Sequence, residues 1–97
     1  DVLAVETIPN YTEAEVLSEL LAEVDTPAWV SFCCRDDKSL SDGMPLAKAA
    51  ALLTDHPRVL AVGINCTPPE YTWGLIQILR AATPDKALVV YPNSGEV

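Results

Sequence analysis

Val59-Leu-Ala-Val-Gly-Ile-Asn-Cys-Thr-Pro-Pro-Glu70 is the stretch that decides the fold. It opens on an uninterrupted apolar run, as expected of a strand covered on both faces. The run stops on Asn65 and Cys66, and Thr67, Pro68 and Glu70 then mark the start of a helix. A thiol at the carboxyl end of a strand, in front of a helix N-terminus, is where an α/β protein places a metal ligand or a nucleophile.

The same layout recurs in both directions from this stretch. Val2-Leu-Ala-Val5 is a short apolar strand ending at Glu6, and Pro9-Asn10 punctuates the loop after it. Thr12 with Glu15 three residues later reads as a capping box. Leu17, Leu20, Leu21 and Val24 then follow the i, i+3, i+4, i+7 spacing of a helix face. Asp25-Thr26-Pro27 ends that helix. Ala28 to Phe32 is the next strand, running into Cys33-Cys34, and a polar loop from Arg35 to Gly43 leads to a helix from about Pro45. Its inward face is Leu46, Ala49, Ala50 and Leu53. The helix after Cys66 turns Leu75, Ile78, Leu79 and Ala82 inward, and Ala87 to Tyr91 forms a fourth strand ending in Pro92-Asn-Ser-Gly-Glu96.

The order β-α-β-α-β-α-β, with a repeat of roughly 26 to 32 residues, is the period of a βαβ unit. Two architectures share that order: an open doubly wound sheet, or part of a (β/α)8 TIM barrel. No strand is followed by the glycine-rich dinucleotide fingerprint that would favour the first. The expected fold is therefore α/β, as a partial (β/α)8 barrel.

Composition narrows the function classes. The chain has 97 residues, 49 % of them hydrophobic, and a formal net charge of -8. That is one small domain's worth of chain, with ample material for a core. Only six Lys and Arg are present, too few for a basic stripe that would bind nucleic acid or an anionic membrane. No apolar run approaches the ~20 residues of a membrane span. Three cysteines without a secretory leader point to reduced thiols in a cytoplasmic setting. The chain enters a strand by Val2 and stops shortly after Asn93-Ser94, the ends expected of an excerpt from a longer protein.

In either architecture ligands sit at the carboxyl ends of the strands. The residues there are Glu6 and Thr7, Cys33 and Cys34, Asn65 and Cys66, and Asn93, Ser94 and Glu96. Each has a plain structural alternative. Glu6 reads as a functional strand-end acid or as a solvated carboxylate. Cys66 reads as a ligand or as a small core hydrophobe. Cys33-Cys34 reads as structural, since adjacent strand residues point to opposite faces. His56, followed by proline at the opposite end, reads as a surface residue. The acidic loop Asp36 to Gly43 lacks the alternating oxygen ligands of an EF-hand and reads as a turn.

Taken in order, Glu6-Thr-Ile-Pro9, Ser31-Phe32, Leu40-Ser-Asp-Gly43, Gly63-Ile-Asn-Cys66 and Tyr91-Pro-Asn-Ser-Gly-Glu96 resemble successive motifs of the homocysteine S-methyltransferases. The resemblance extends over essentially the whole chain and is nearest to the branch using S-methylmethionine or S-adenosylmethionine. It implies a zinc-dependent (β/α)8 barrel that methylates homocysteine to methionine, of which residues 1–97 are a fragment. It implies that Cys66 is one of three zinc ligands, the other two being an adjacent pair in a Gly-Gly-Cys-Cys motif on a later strand. This chain contains no such motif, and Cys33-Cys34 does not match it. The resemblance also implies that Glu6 holds the ammonium of the substrate, with Asn65, Asn93 and Ser94 in the same pocket. The implied partners are homocysteine, a sulfonium methyl donor and the remainder of the barrel.

The chemistry is coherent. A thiol with an unperturbed pKa near ~8.5 is mostly protonated at neutral pH, and coordination to zinc deprotonates it. Three protein thiolates leave one tetrahedral position for the substrate sulfur. Attack on a sulfonium methyl then depends on alignment more than on acid–base catalysis. Two other readings stand beside this one: a barrel enzyme without zinc, and a non-catalytic α/β piece whose open sheet edges favour self-association.

Overall fold

Strand–helix alternation fills the chain. In order the elements are β1 (Leu3–Ile8), α1 (Tyr11–Ala22), β2 (Ala28–Phe32), α2 (Leu46–Ala51), β3 (Val59–Thr67), α3 (Pro69–Ala82) and β4 (Ala87–Pro92). The computed structural model describes residues 2–92, with the main chain alone at positions 7, 66, 91 and 92. The pairings between these four strands are parallel and the sheet order is β1-β2-β3-β4. That order separates the two architectures. A doubly wound sheet reverses direction at a switch point, whereas here each strand is added on the same side. With right-handed crossovers, an order that never reverses keeps every helix on one face.

The core shows this directly. Ala28, Val30 and Phe32 of β2 and Val62 and Ile64 of β3 pack in one cluster with Ala14 and Leu21 of α1, Leu46, Ala49 and Ala50 of α2, and Leu75 and Leu79 of α3. Residues paired across neighbouring parallel strands share a face. Val30 pairs with Val62 and Val62 with Leu88, all on the helix side, while Ser31 pairs with Gly63 and Gly63 with Val89 on the other. The sheet thus has a helix-covered face and a second face carrying Ser31, Gly63 and Asn65.

Three helix details refine the sequence reading. The N-cap of α1 is Asn10, not Thr12: its Oδ1 accepts from Glu13 N at 2.8 Å, and its Nδ2 donates to Glu13 Oε2 at 2.7 Å. The same three-residue spacing is used two positions earlier, because asparagine caps as well as threonine. Second, Leu20 and Val24 are exposed at 57 % and 37 %. Tyr11 and Ser18 face α2 and the loop after it, with Lys48 Nζ 5.0 Å from the Tyr11 ring and His56 Nε2 2.9 Å from Ser18 O. Leu20 falls on the opposite flank, where it lines an apolar groove with Ile8, Val16 and Leu17. Third, β3 extends through Thr67, and α3 begins at Pro69 without a side-chain cap. No helix among the described residues is long and apolar enough to cross a membrane.

Gly63 of β3 lies directly against β4, and a Cβ there would lie 1.9 Å from Val89 O. Neither backbone can give way without breaking ladder hydrogen bonds. Gly63→Ala should therefore destabilise the fold by about 1–3 kcal/mol or more, read as a lower denaturant midpoint. An unchanged midpoint would show that the two strands have slack at this point.

Candidate functional site

Two of the strands carrying candidate residues end in an irregularity of register. Between Val5 and Ile8, β1 spends three steps where β2 spends two, from Val30 to Phe32, so Val5 and Ile8 both lie on the helix side. The extra residue falls at Glu6 or Thr7. Glu6 is exposed. Between Asn65 and Thr67, β3 spends two steps where β4 spends one, from Tyr91 to Pro92, and the residue between them is Cys66. Extra residues of this kind bend a strand and re-aim a side chain, and they recur beside active sites. β2 lies between these two strand ends, which puts them two strand spacings apart, about 10 Å.

The ground between them is polar and ordered. Ser31 Oγ donates to Asn65 Oδ1 at 2.7 Å, and both residues are buried. Thr67 Oγ1 donates to Asn65 O at 3.2 Å and accepts from Cys34 N at 3.4 Å. Buried hydroxyls are costly without partners; here each has one. Asn65 is therefore fixed through its side chain to β2 and through its carbonyl to Thr67. The sequence offered Asn65 as a candidate. It marked Ser31 only within a motif and Thr67 only as a helix-start signal, and their parts as supporting hydrogen-bond groups appear once strand register is known.

The paired cysteines separate as strand alternation predicts. Cys34 joins the core, and burial pushes its thiol up to about 12. A thiol held protonated in this way is neither a ready metal ligand nor a nucleophile. Cys33 is half-exposed and its N–H donates to Ile8 O at 2.9 Å, tying the ends of β2 and β1 together. His56 is more than a surface residue. Nδ1 accepts from Arg58 N at 3.2 Å, so Nε2 carries the proton and donates to Ser18 O. It joins α1 to the entry of β3 at the end of the sheet away from the candidate site.

A thiol at position 66 suits zinc chemically, since thiolate is among its preferred donors. No group of three or more His, Cys, Asp or Glu that could hold a metal ion occurs among the described residues. A single thiol is one donor of the four that a zinc site takes. Asn93, Ser94 and Glu96 lie outside the described residues.

The loop after β2 is built rather than slack. Cys34 bridges Leu40, and Ser39 bridges Pro45, both antiparallel. Asp36 Oδ1 accepts from Lys38 N and Ser39 N. Asp42 Oδ1 accepts from Met44 N at 2.9 Å, while its Oδ2 accepts from Tyr11 N at the start of α1 at 3.0 Å. Asp42 N donates to Pro9 O at 3.2 Å, so this one residue pins the loop after β2 to the loop after β1. Gly43 completes the turn at φ +91°, a conformation side chains resist. The expectation of a turn in place of a calcium loop describes what Asp36 and Asp42 do.

Comparison with known proteins is consistent across sequence and structure. A family model described as homocysteine S-methyltransferase matches residues 1–97. The homocysteine S-methyltransferase of Escherichia coli (strain K12) is 52 % identical over 97 residues, covering 99 % of this chain and 31 % of that protein. Homocysteine S-methyltransferase YbgG of Bacillus subtilis (strain 168) is 48 % identical over 97 residues, covering 99 % of this chain and 30 % of its own length. The chain therefore spans about a third of the curated relatives it matches. The crystal structure of the homocysteine methyltransferase MmuM from Escherichia coli in its metallated form superposes with a TM-score of 0.87 at 51 % identity, covering 98 % of this chain and 33 % of that one. The four parallel strands and their helices thus match a part of that structure, as a partial barrel.

The two loop aspartates generate a pH prediction. Hydrogen bonds from the main chain, led by Tyr11 N for Asp42 and Lys38 N for Asp36, hold both carboxyls below their ordinary value. A group lowered on folding adds stability above its unfolded pKa, near ~3.9 for aspartate, and loses it as pH falls through the folded value. Stability should be insensitive to these groups from about pH 5 to 7 and decline below about pH 4. Asp42→Asn should start lower at neutral pH and decline less steeply, as urea midpoints across that range will show. Parallel acid limbs in parent and variant would exclude Asp42 as a contributor.

Proposed function

This chain belongs to the homocysteine S-methyltransferase family, and on that premise we propose that it is a fragment of a single homocysteine-binding (β/α)8 barrel. The whole protein is a zinc-dependent enzyme that transfers a methyl group from a sulfonium donor to homocysteine, giving methionine. The observation that carries this reading is the strand-end geometry: position 66 occupies a β3 bulge, and Glu6 lies at a β1 irregularity at the same end of the sheet. The metallated state of MmuM supports the metal assignment.

In this reading Cys66 is one zinc ligand, and the other two are the adjacent cysteines of a Gly-Gly-Cys-Cys motif outside this chain. Zinc, when bound, supplies the Lewis acidity that deprotonates a coordinated thiol. The chain's own residues bind and orient. The Glu6 carboxylate offers only acceptors, which suits the substrate ammonium. Asn65, Asn93 and Ser94 line the same pocket, where fixed polar groups set the angle at which the substrate sulfur meets the methyl donor. The apolar strands beneath exclude water from one side of that pocket. A cytoplasmic setting, where thiols stay reduced, belongs to the same reading.

The test is Cys66→Ser in the whole protein. It should lose stoichiometric zinc and methionine formation together, measured by metal analysis and product assay. Glu6→Gln should retain zinc and raise the KM for homocysteine. A Cys66→Ser protein with full zinc and activity would falsify the assignment.

A further inference from the structure

Residue 66 is flanked by Asn65 and Thr67, and hydroxyl groups with no assigned part in substrate binding hold both of them. We propose that Thr67, assisted by Ser31, is a positioning residue that fixes the β3 bulge presenting Cys66 for metal coordination; this rests on the reading of Cys66 as a ligand.

Register gives the first observation. The pairing steps from Asn65↔Tyr91 directly to Thr67↔Pro92, so the main chain at 66 takes no regular place in the ladder. A bulge residue of this kind is steered by its flanks. On the far flank, the Thr67 hydroxyl reaches back over residue 66 to donate to Asn65 O at 3.2 Å, closing the bulge on itself. The same oxygen accepts from Cys34 N at 3.4 Å, which ties the closed bulge to the chain leaving β2. On the near flank, Ser31 Oγ holds Asn65 Oδ1 at 2.7 Å. Ser31 and Thr67 are 0 % and 1 % exposed, so neither hydroxyl exchanges these partners for bulk water.

Removing the Thr67 hydroxyl leaves Asn65 O and Cys34 N without that partner and releases the closure over residue 66. Metal ligands tolerate displacements of only about 0.5 Å from productive geometry. Losses of supporting hydrogen bonds around a metal site characteristically cost about 10- to 100-fold in metal affinity. Valine replaces threonine with almost no change in shape and lacks only the hydroxyl, so it isolates the interaction. Serine keeps the hydroxyl and sacrifices a methyl group.

The experiment is zinc competition against a chromophoric chelator with the whole protein, comparing parent, Thr67→Val, Thr67→Ser, Ser31→Ala and Cys66→Ser, each checked by circular dichroism. Thr67→Val should bind zinc about 10- to 100-fold more weakly, with Thr67→Ser restoring most of the loss and Ser31→Ala falling between. After zinc saturation the KM of Thr67→Val for homocysteine should stay close to the parent's, since its hydroxyl is not assigned to the substrate, whereas Ser31→Ala also frees the Asn65 side chain and is read by zinc affinity alone. Cys66→Ser serves as the control on the underlying reading. If it keeps zinc, that reading fails and this inference fails with it. If it loses zinc while folded Thr67→Val and Ser31→Ala bind as tightly as the parent, the inference alone is overturned. Should Thr67→Val not fold, Ser31→Ala decides by itself: parental affinity overturns the proposal and a weakened site supports it.

Discussion

β3 is hydrogen-bonded to a parallel neighbour on each side, β2 and β4, and few of its residues have freedom to move. Parallel strands cannot be joined by a tight turn, so each connection must leave the sheet, form a helix and return. Adding each new strand on the same side forces the three helices onto one face. Val62 and Ile64 fill the space beneath α2 and α3, and Gly63 allows the strand to lie close to β4. The second face, carrying Ser31 and Asn65, is left without a helix layer. What occupies that face in a closed barrel is the inward side of the other strands, so polar residues there are aimed at a shared interior.

The same constraint explains why chemistry gathers where strand geometry breaks. Inside the sheet, alternation allows a side chain only two directions. Bulges at the carboxyl ends of β1 and β3 escape that restriction. They fall on Glu6 or Thr7 and on position 66, while a further irregularity at the entry of β3, where Ala28 and Trp29 pair with Val59 and Ala61, lies at the opposite end of the sheet. Deviation there is tolerable because neighbouring polar side chains absorb it. Thr67 takes up the displaced carbonyl of Asn65, and Asp42 takes up the leading N–H of α1 beyond β1.

How much of this was legible beforehand depends on the range of each interaction. The apolar runs and the spacing of Leu46, Ala49, Ala50 and Leu53 are local signals, and all four of those residues are buried. Four parallel strands and the barrel-type arrangement followed from them. Local signals failed where two nearby residues compete for one role: Asn10 with Glu13 and Thr12 with Glu15 have the same capping spacing, and only the end of β1 selects the first. They also failed for α1, where periodicity marks a wider apolar stripe than one edge strand covers, leaving Leu20 outside. Ser31, Asp42 and Thr67 were invisible as supporting residues because their partners lie 34, 31 and 33 positions away.

Charge carries a related lesson. A net charge of -8 together with an acidic loop at the site end suggests a cation-binding surface on composition alone. Two carboxylates of that loop are already committed, Asp36 and Asp42 each to two main-chain N–H groups. A carboxylate satisfied in this way stabilises a turn and gains little by exchanging those donors for a hydrated metal ion. Oxygen-rich sites for hard cations need several such groups converging on one point, and these two diverge into separate turns. Position 66 lies apart from both turns along the chain, at a break in the β3–β4 ladder. The acidic loop thus uses Asp36 and Asp42 to hold itself and the start of α1 in place.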